Sequence, residues 1–164
     1  MRCYLVKMKA LHTSVCLETH AYRGSVSIRS ARISDAVRRF LEGARFAAIA
    51  TLNHDGSPHV TVVWFEVRGD EVVVNTTTSR VKARNLSRDA RVSILVGDAD
   101  RYVRIDGRAR AIAHGRQALE DIRRLGIRYD GVEAAERQVR DVWSRQERVT
   151  YAIAAERVYA YDVT

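Results

Sequence analysis

Residues 46–77 read FAAIATLNHDGSPHVTVVWFEVRGDEVVVNTT, and this run decides the fold. Its first seven residues are apolar apart from Thr51 and have the length of a buried strand. Asn53-His54-Asp55-Gly56 then supplies hairpin chemistry, because Asp-Gly tolerates the positive φ of a tight turn. Residues 58–67 alternate, with His59, Thr61, Val63 and Phe65 on one face and Val60, Val62, Trp64 and Glu66 on the other. A period of two marks a strand with two distinct faces. Arg68-Gly69-Asp70 turns the chain again into residues 71–77. Three antiparallel strands in succession are the expected meander.

The third strand runs directly into residues 75–85, NTTTSRVKARN. Four hydroxyls (Thr76, Thr77, Thr78, Ser79) precede three cations at every second position (Arg80, Lys82, Arg84). A plain turn would favour Gly, Asn, Asp or Pro. Hydroxyls, backbone N–H groups at a helix start and Arg or Lys side chains are together what an anionic, phosphorylated ligand requires. Basic turns also occur simply as solvated faces. In a helix Arg80 and Arg84 lie one turn apart while Lys82 points elsewhere, so at most two of the three can serve one phosphate. Arg84 is the one left out.

Outward from this centre, Ile33, Ala36, Val37, Phe40 and Leu41 fall at helical spacing, with Ser34 as N-cap and Gly43 as stop. Downstream, residues 91–96 and 102–112 read as strands, the second interrupted at Gly107, where a bulge or bend is expected. Leu119, Ile122 and Leu125 form one helical stripe; Ala135, Val139 and Val142 form another, with Trp143 beside it. Residues 148–154 and 158–163 close the chain as two more strands. About six short antiparallel strands with peripheral helices predict a mainly-β (α+β) architecture, a closed or partly closed barrel. Residues 1–30 lack a firm period and read as an N-terminal extension of uncertain structure, whether a tail, an added strand or an upstream extension; residues 31–164 are expected to form one domain.

Composition narrows the function. The chain has 164 residues, 46% of them hydrophobic, enough for a single real core. No apolar run approaches the roughly 18 residues of a membrane span. A net charge of +8 and a pI near 10.0 favour anionic partners: nucleic acid, an acidic membrane surface or an acidic small ligand. Lys occurs only at Lys7, Lys9 and Lys82, so Lys82 stands out among many Arg residues. Cys3 and Cys16 give neither a disulfide framework nor zinc spacing, which makes the reducing cytoplasm the default setting. The first 16 residues do not read as a signal peptide. His12, His20, His54, His59 and His114 show no metal spacing. There is no G-x-G-x-x-G after a strand, no P-loop, no G-x-S-x-G elbow and no paired carboxylates, so no catalytic side chain and no metal ligand is assigned.

Taken in order, residues 46–59 (FAAIATLNHDGSPH), 62–65 (VVWF), 78–86 (TSRVKARNL), 88–96 (RDARVSILV) and 103–109 (VRIDGRA) resemble the pyridoxamine 5′-phosphate oxidase-like flavin and deazaflavin oxidoreductases. The resemblance covers about residues 34–163. It implies a split β-barrel of FMN-binding type and a homodimer with two cofactor sites at the interface. The branch most similar to this chain uses the deazaflavin coenzyme F420, with FMN users as near relatives. By position, Arg80 and Lys82 are expected to hold the cofactor phosphate and Asn85 to brace their turn. Asn75 belongs to the same expected site. Thr76, Thr77, Thr78 and Ser79 are expected to offer hydroxyl and backbone donors, and Val62, Val63 and Trp64 to lie along the ring system. Tyr151, Tyr159 and Tyr161 could line the pocket, although alternating Tyr also serves sheet packing. The implied activity is hydride transfer between the deazaflavin and an unsaturated small molecule. The excess positive charge suits the oligoglutamate tail of F420, which FMN lacks. The alternatives are an FMN-dependent oxidase or reductase, and a non-catalytic flavin- or polyanion-binding protein; a nucleic-acid partner has no motif behind it.

Overall fold

The computed structural model describes residues 27–29, 32–43 and 46–163. Cys3, Cys16, His12, His20, Lys7 and Lys9 lie outside the described residues. Eight strands alternate with four helices: β1 (Ser27–Arg29), α1 (Asp35–Gly43), β2 (Ala47–Leu52), β3 (Pro58–Val63), β4 (Phe65–Arg68), β5 (Glu71–Thr77), α2 (Val81–Arg88), β6 (Arg91–Gly97), β7 (Tyr102–His114), α3 (Gly115–Asp130), α4 (Val132–Asp141) and β8 (Arg148–Tyr161). All pairings are antiparallel, in the order β3-β2-β6-β7-β8-β5-β4, with β1 added on β8. Among the described residues no helix is long and apolar enough to cross a membrane.

The local signals explain the element ends. Ser34 Oγ accepts from the Val37 N–H at 3.3 Å, capping α1 and leaving Val37 and Leu41 to bury against the sheet. At the β2–β3 hairpin Gly56 takes φ +83°, and the Asp55 carboxylate accepts from both the Ser57 N–H and hydroxyl at 3.0 and 2.6 Å. Those two bonds hold the Asp55 carboxyl below its ordinary value. Gly107 does sit at a bulge: Asp106 pairs with Arg157 and Gly107 with Ala155, so Glu156 is the extra residue.

Three expectations are corrected. The strand expected over residues 58–67 is two strands, because the chain changes partner at Trp64. β3 pairs with β2 and β4 pairs with β5, at opposite ends of the sheet. The simple meander is therefore absent, and the sheet must curl to bring its two edges together at one residue. The barrel so formed is not closed by a continuous ladder. Second, residues 148–154 and 158–163 are not two strands: β8 runs unbroken from Arg148 to Tyr161, its apparent gap being the Glu156 bulge. Third, the described residues form eight strands rather than about six, one of them, β1, lying within residues 1–30, where an added strand is one of the open readings.

Two apolar clusters result. The larger fills the curled sheet, around Phe65, Leu41, Ile49, Ile94, Ile105 and Ile153. The smaller joins α3 and α4 through Ile122, Leu125, Ala135 and Trp143, with Trp64 and Tyr129 packed against it. Asp121 on α3 binds Arg68 of β4 at 2.9 Å and its own neighbour Arg124 at 2.6 Å, pinning the helix to the strand. The Tyr129 hydroxyl accepts from the Phe65 N–H at 3.2 Å and donates to its carbonyl at 3.0 Å, replacing the strand neighbour that β4 lacks on its outer edge.

Candidate functional site

A cleft of about 440 Å³ opens where the two clusters meet, beside the Trp64 switch. One wall is aromatic and aliphatic. Trp64 stacks on Tyr129, centroids 5.1 Å apart and planes within 5°, and meets the edge of Trp143 at 6.3 Å and 84°. Phe46, Val62, Val63, Ile122 and Val142 extend this surface. Trp143 can occupy its place only because position 126 is glycine: a Cβ there would lie 2.5 Å from the Trp143 ring.

Cations share this lining. Arg80, Lys82 and Arg148 all line the cleft. Lys82 is 4% and Arg148 8% exposed, and among the described residues no carboxylate pairs with either. Arg148 Nε donates to Asn75 Oδ1 at 2.7 Å, and Nη1 donates to Gln146 Oε1. Burial, then the Arg80 charge, lowers both cations, Arg148 to about 10 and Lys82 below its ordinary 10.5. Thr76, beside them, has a buried hydroxyl oxygen with no hydrogen-bond partner among the described residues. Two buried cations without counter-ions and an orphaned hydroxyl are costly unless a ligand satisfies them.

Seven of the expected residues come together here: Val62, Val63, Trp64, Asn75, Thr76, Arg80 and Lys82. Arg80 and Lys82 share the cleft because Arg80 is the N-cap of α2, extended at φ −75° and ψ 148°, so helical spacing does not separate them. Arg84 lies outside, exposed, donating to the Ser79 carbonyl. Thr77, Thr78, Ser79 and Asn85 do not line the cleft. Thr77 and Ser79 share a 3.3 Å hydroxyl contact, and Thr78 Oγ1 donates to the Glu147 carboxylate at 3.1 Å. Asn85 braces the turn from behind, its Nδ2 donating to Thr51 Oγ1 and Asn53 Oδ1, both at 3.1 Å. Asn75 is fully engaged by protein: besides Arg148 it donates to the Ala118 carbonyl at 2.8 Å and Thr150 Oγ1 at 2.9 Å. It therefore aims Arg148 rather than offering a free donor. Tyr151, Tyr159 and Tyr161 are absent from the lining; Tyr151 donates to the Ala83 carbonyl at 3.2 Å, and Tyr161 stacks on Tyr102 at 5.4 Å.

Sequence reasoning did not assign the other eight lining residues to the site: Phe46, Ile122, Asp130, Gln138, Val142, Trp143, Gln146 and Arg148. For Arg148 a signal existed, a lone charge opening an apolar strand. Both faces of β8 are buried there, however, so alternation could not say where it points.

A family model described as pyridoxamine 5′-phosphate oxidase matches residues 33–162. The chain belongs to this family. Solved structures of similar fold agree with the assignment. A conserved hypothetical protein from Mycobacterium tuberculosis is 30% identical, with 82% of this chain and 88% of that chain covered and a TM-score of 0.67. A protein described as an F420 reductase is 24% identical, with 74% and 94% covered and a TM-score of 0.58. HutZ, a haem storage protein from Vibrio cholerae, is 16% identical, with 80% and 96% covered and a TM-score of 0.62. The last two are likenesses of fold. The family's fold thus serves proteins of different chemistry, and the function must be argued from the site.

Proposed function

We propose that the cleft takes coenzyme F420, and that the protein is an F420-dependent oxidoreductase acting on an unsaturated small molecule. The observation that carries this reading is that one cleft is lined by three cations (Arg80, Lys82, Arg148), by the Thr76 hydroxyl, which has no partner among the described residues, and by the aromatic pair Trp64 and Trp143. A phosphate-bearing tricyclic cofactor suits this lining. When bound, the deazaflavin supplies the hydride chemistry. The protein's residues bind and orient: Lys82 and Arg80 hold the anionic arm, Thr76 donates to it, and Trp64 with Val62 and Val63 flanks the ring. No cleft side chain is assigned as a proton donor.

An FMN enzyme of the same fold is the second reading, because the same donors would satisfy a phosphomonoester. Among the described residues lining the cleft none is His, Cys, Met or Tyr, the usual side-chain ligands of haem iron, so this lining gives the haem chemistry of one fold relative no support. The proposed homodimer is supported by the outer face of β3-β2-β6. There Val60, Val62 and Leu95 are 60%, 67% and 43% exposed, and Ala48 stands in register between Val62 and Leu95. Val62 also lines the cleft, so a partner seated on this face would border the cofactor site. A molar-mass measurement giving a monomer at working concentrations would remove the dimer.

Fluorescence titration of the apo-protein with F420 and with FMN tests the function. Tighter F420 binding supports the first reading, the reverse order the second, and binding of neither sinks both. Lys82→Ala and Arg80→Ala are each expected to weaken binding about tenfold or more, because each removes a charge-assisted contact.

A further inference from the structure

A buried arginine is ordinarily paired with a carboxylate, because an unpaired charge out of water is expensive. Arg148 departs from this rule in a specific way. Both side-chain acceptors on its guanidinium are neutral amide oxygens, Asn75 Oδ1 and Gln146 Oε1. They fix its direction and leave its charge uncompensated. Lys82, which lines the same cleft, has no side-chain hydrogen bond or ion pair among the described residues. Each carboxylate near the two is engaged or apart: Glu147 receives Thr78, and Asp130 lines the cleft but forms no ion pair with these cations. The Arg148 guanidinium lies 5.9 Å from the Trp143 ring, just within cation–π range, and Arg148 lines the open cleft.

We infer that Arg148 is an anchor cation equal in rank to Lys82, and that the two together demand a ligand group carrying two negative charges. The inference rests on the reading of the cleft as a cofactor-phosphate site and specifies the charge that site requires. A phosphomonoester supplies two charges alone. A phosphodiester supplies one and needs a neighbouring carboxylate of the same ligand, as in the lactyl-glutamyl arm of F420. Arg80, exposed at the cleft mouth, remains for a further acidic group. A neutral ring lacking any anionic arm leaves both buried cations unmet and binds weakly.

The sharpest probe is Gln146→Glu. The change is nearly isosteric, keeps an oxygen acceptor for Arg148 Nη1, and supplies the counter-ion that the protein otherwise withholds. Arg148→Gln is the companion variant, removing the cation itself. The probes are inorganic phosphate, followed by thermal shift against chloride of equal ionic strength, and four cofactor forms followed by fluorescence. Those forms are FMN, riboflavin, F420 and the ribityl deazaflavin lacking the phospholactyl arm. Phosphate is expected to raise the melting temperature of the wild type and of neither variant. The variants are expected to lose about tenfold or more in affinity for whichever charged cofactor the wild type binds, and to bind its uncharged counterpart as the wild type does. FMN against F420 tells the phosphomonoester from the diester-plus-carboxylate source. Equal phosphate stabilisation in wild type and variants, or none in the wild type, overturns the inference. Equal losses for charged and uncharged forms also overturn it, because the effect is then structural. Should phosphate discriminate while neither FMN nor F420 binds the wild type, the dianion site stands and the cofactor assignment falls.

Discussion

Gly126→Ala is the most informative single substitution in the aromatic wall. In an exposed helix interior it would stabilise, by about 1 kcal/mol, because Ala has the higher helix propensity. At position 126 the new methyl would lie 2.5 Å from Cη2 and 2.9 Å from Cζ3 of Trp143, and 3.1 Å from Ala135 Cβ. Carbon atoms rest at roughly 3.5–4.0 Å, so the indole must retreat by about 1 Å or more. Trp143 packs T-shaped against Trp64 with centroids 6.3 Å apart and lines the cleft, so a displaced indole disturbs both. Overpacking of this kind costs about 1–3 kcal/mol, which offsets or exceeds the propensity gain. The net expectation is a protein destabilised by about 0–2 kcal/mol, with ring affinity reduced and phosphate stabilisation intact. Urea unfolding measures the first, and riboflavin or tail-less deazaflavin titration the second. The control is Trp143→Leu, which removes the nearer obstacle and leaves Ala135 Cβ at 3.1 Å: in that background the cost of Gly126→Ala should shrink, a coupling visible in a double-mutant cycle. If Gly126→Ala in the wild-type background stabilises by the full helix increment and leaves ring affinity unchanged, the steric argument is wrong.

Two further predictions concern the sheet and the buried lysine. Gly107→Ala would set a methyl 2.1 Å from the Ala154 carbonyl oxygen, a backbone atom that cannot swing aside, so a loss of more than about 3 kcal/mol or failure to fold is expected; near-normal urea stability would contradict it. Lys82 has a folded-state pKa below its unfolded value of 10.5, so the unfolded chain binds the proton more tightly and apo-protein stability rises as pH climbs from the folded value towards 10.5. Lys82→Met should reduce that slope in urea melts taken below pH 10, where Tyr151, raised by burial, stays protonated in the fold and Arg148, lowered to about 10, contributes only a remainder of the same sign; an unchanged slope would mean Lys82 does not titrate this way.

Much of the local structure was legible in the sequence, since it rests on contacts between near neighbours. The Ser34 cap and the Asp55-Gly56 hairpin are each determined within a few residues, whereas Gly107 marked the bulge but its extra residue, Glu156, lies on the partner strand. The switch at Trp64 was not legible, because Val63 and Phe65 both face the core and the alternation passes through the change of partner without a fault. Nor could the division among the hydroxyls be read. Thr78 is taken by Glu147, 69 residues away, whereas Thr76 is left unpartnered, and adjacency in the chain says nothing about either. The cation cluster was half visible for the same reason. Arg80 and Lys82 sit on one turn, but Arg148 arrives from β8, brought by the pairing of Asn75 with Thr150 across the β5–β8 ladder.

The partner change at Trp64 also bears on how the protein yields under load. Val63 belongs to the ladder at one edge of the sheet and Phe65 to the ladder at the other, so a single residue clasps the two edges like the pin of a buckle. Spreading the cleft must pull on both ladders at once, and neither can relax alone while the Tyr129 hydroxyl grips both backbone groups of Phe65. Amide exchange along β3 and β4 should accordingly slow together when the cleft is filled, although the two strands share no hydrogen-bonded ladder.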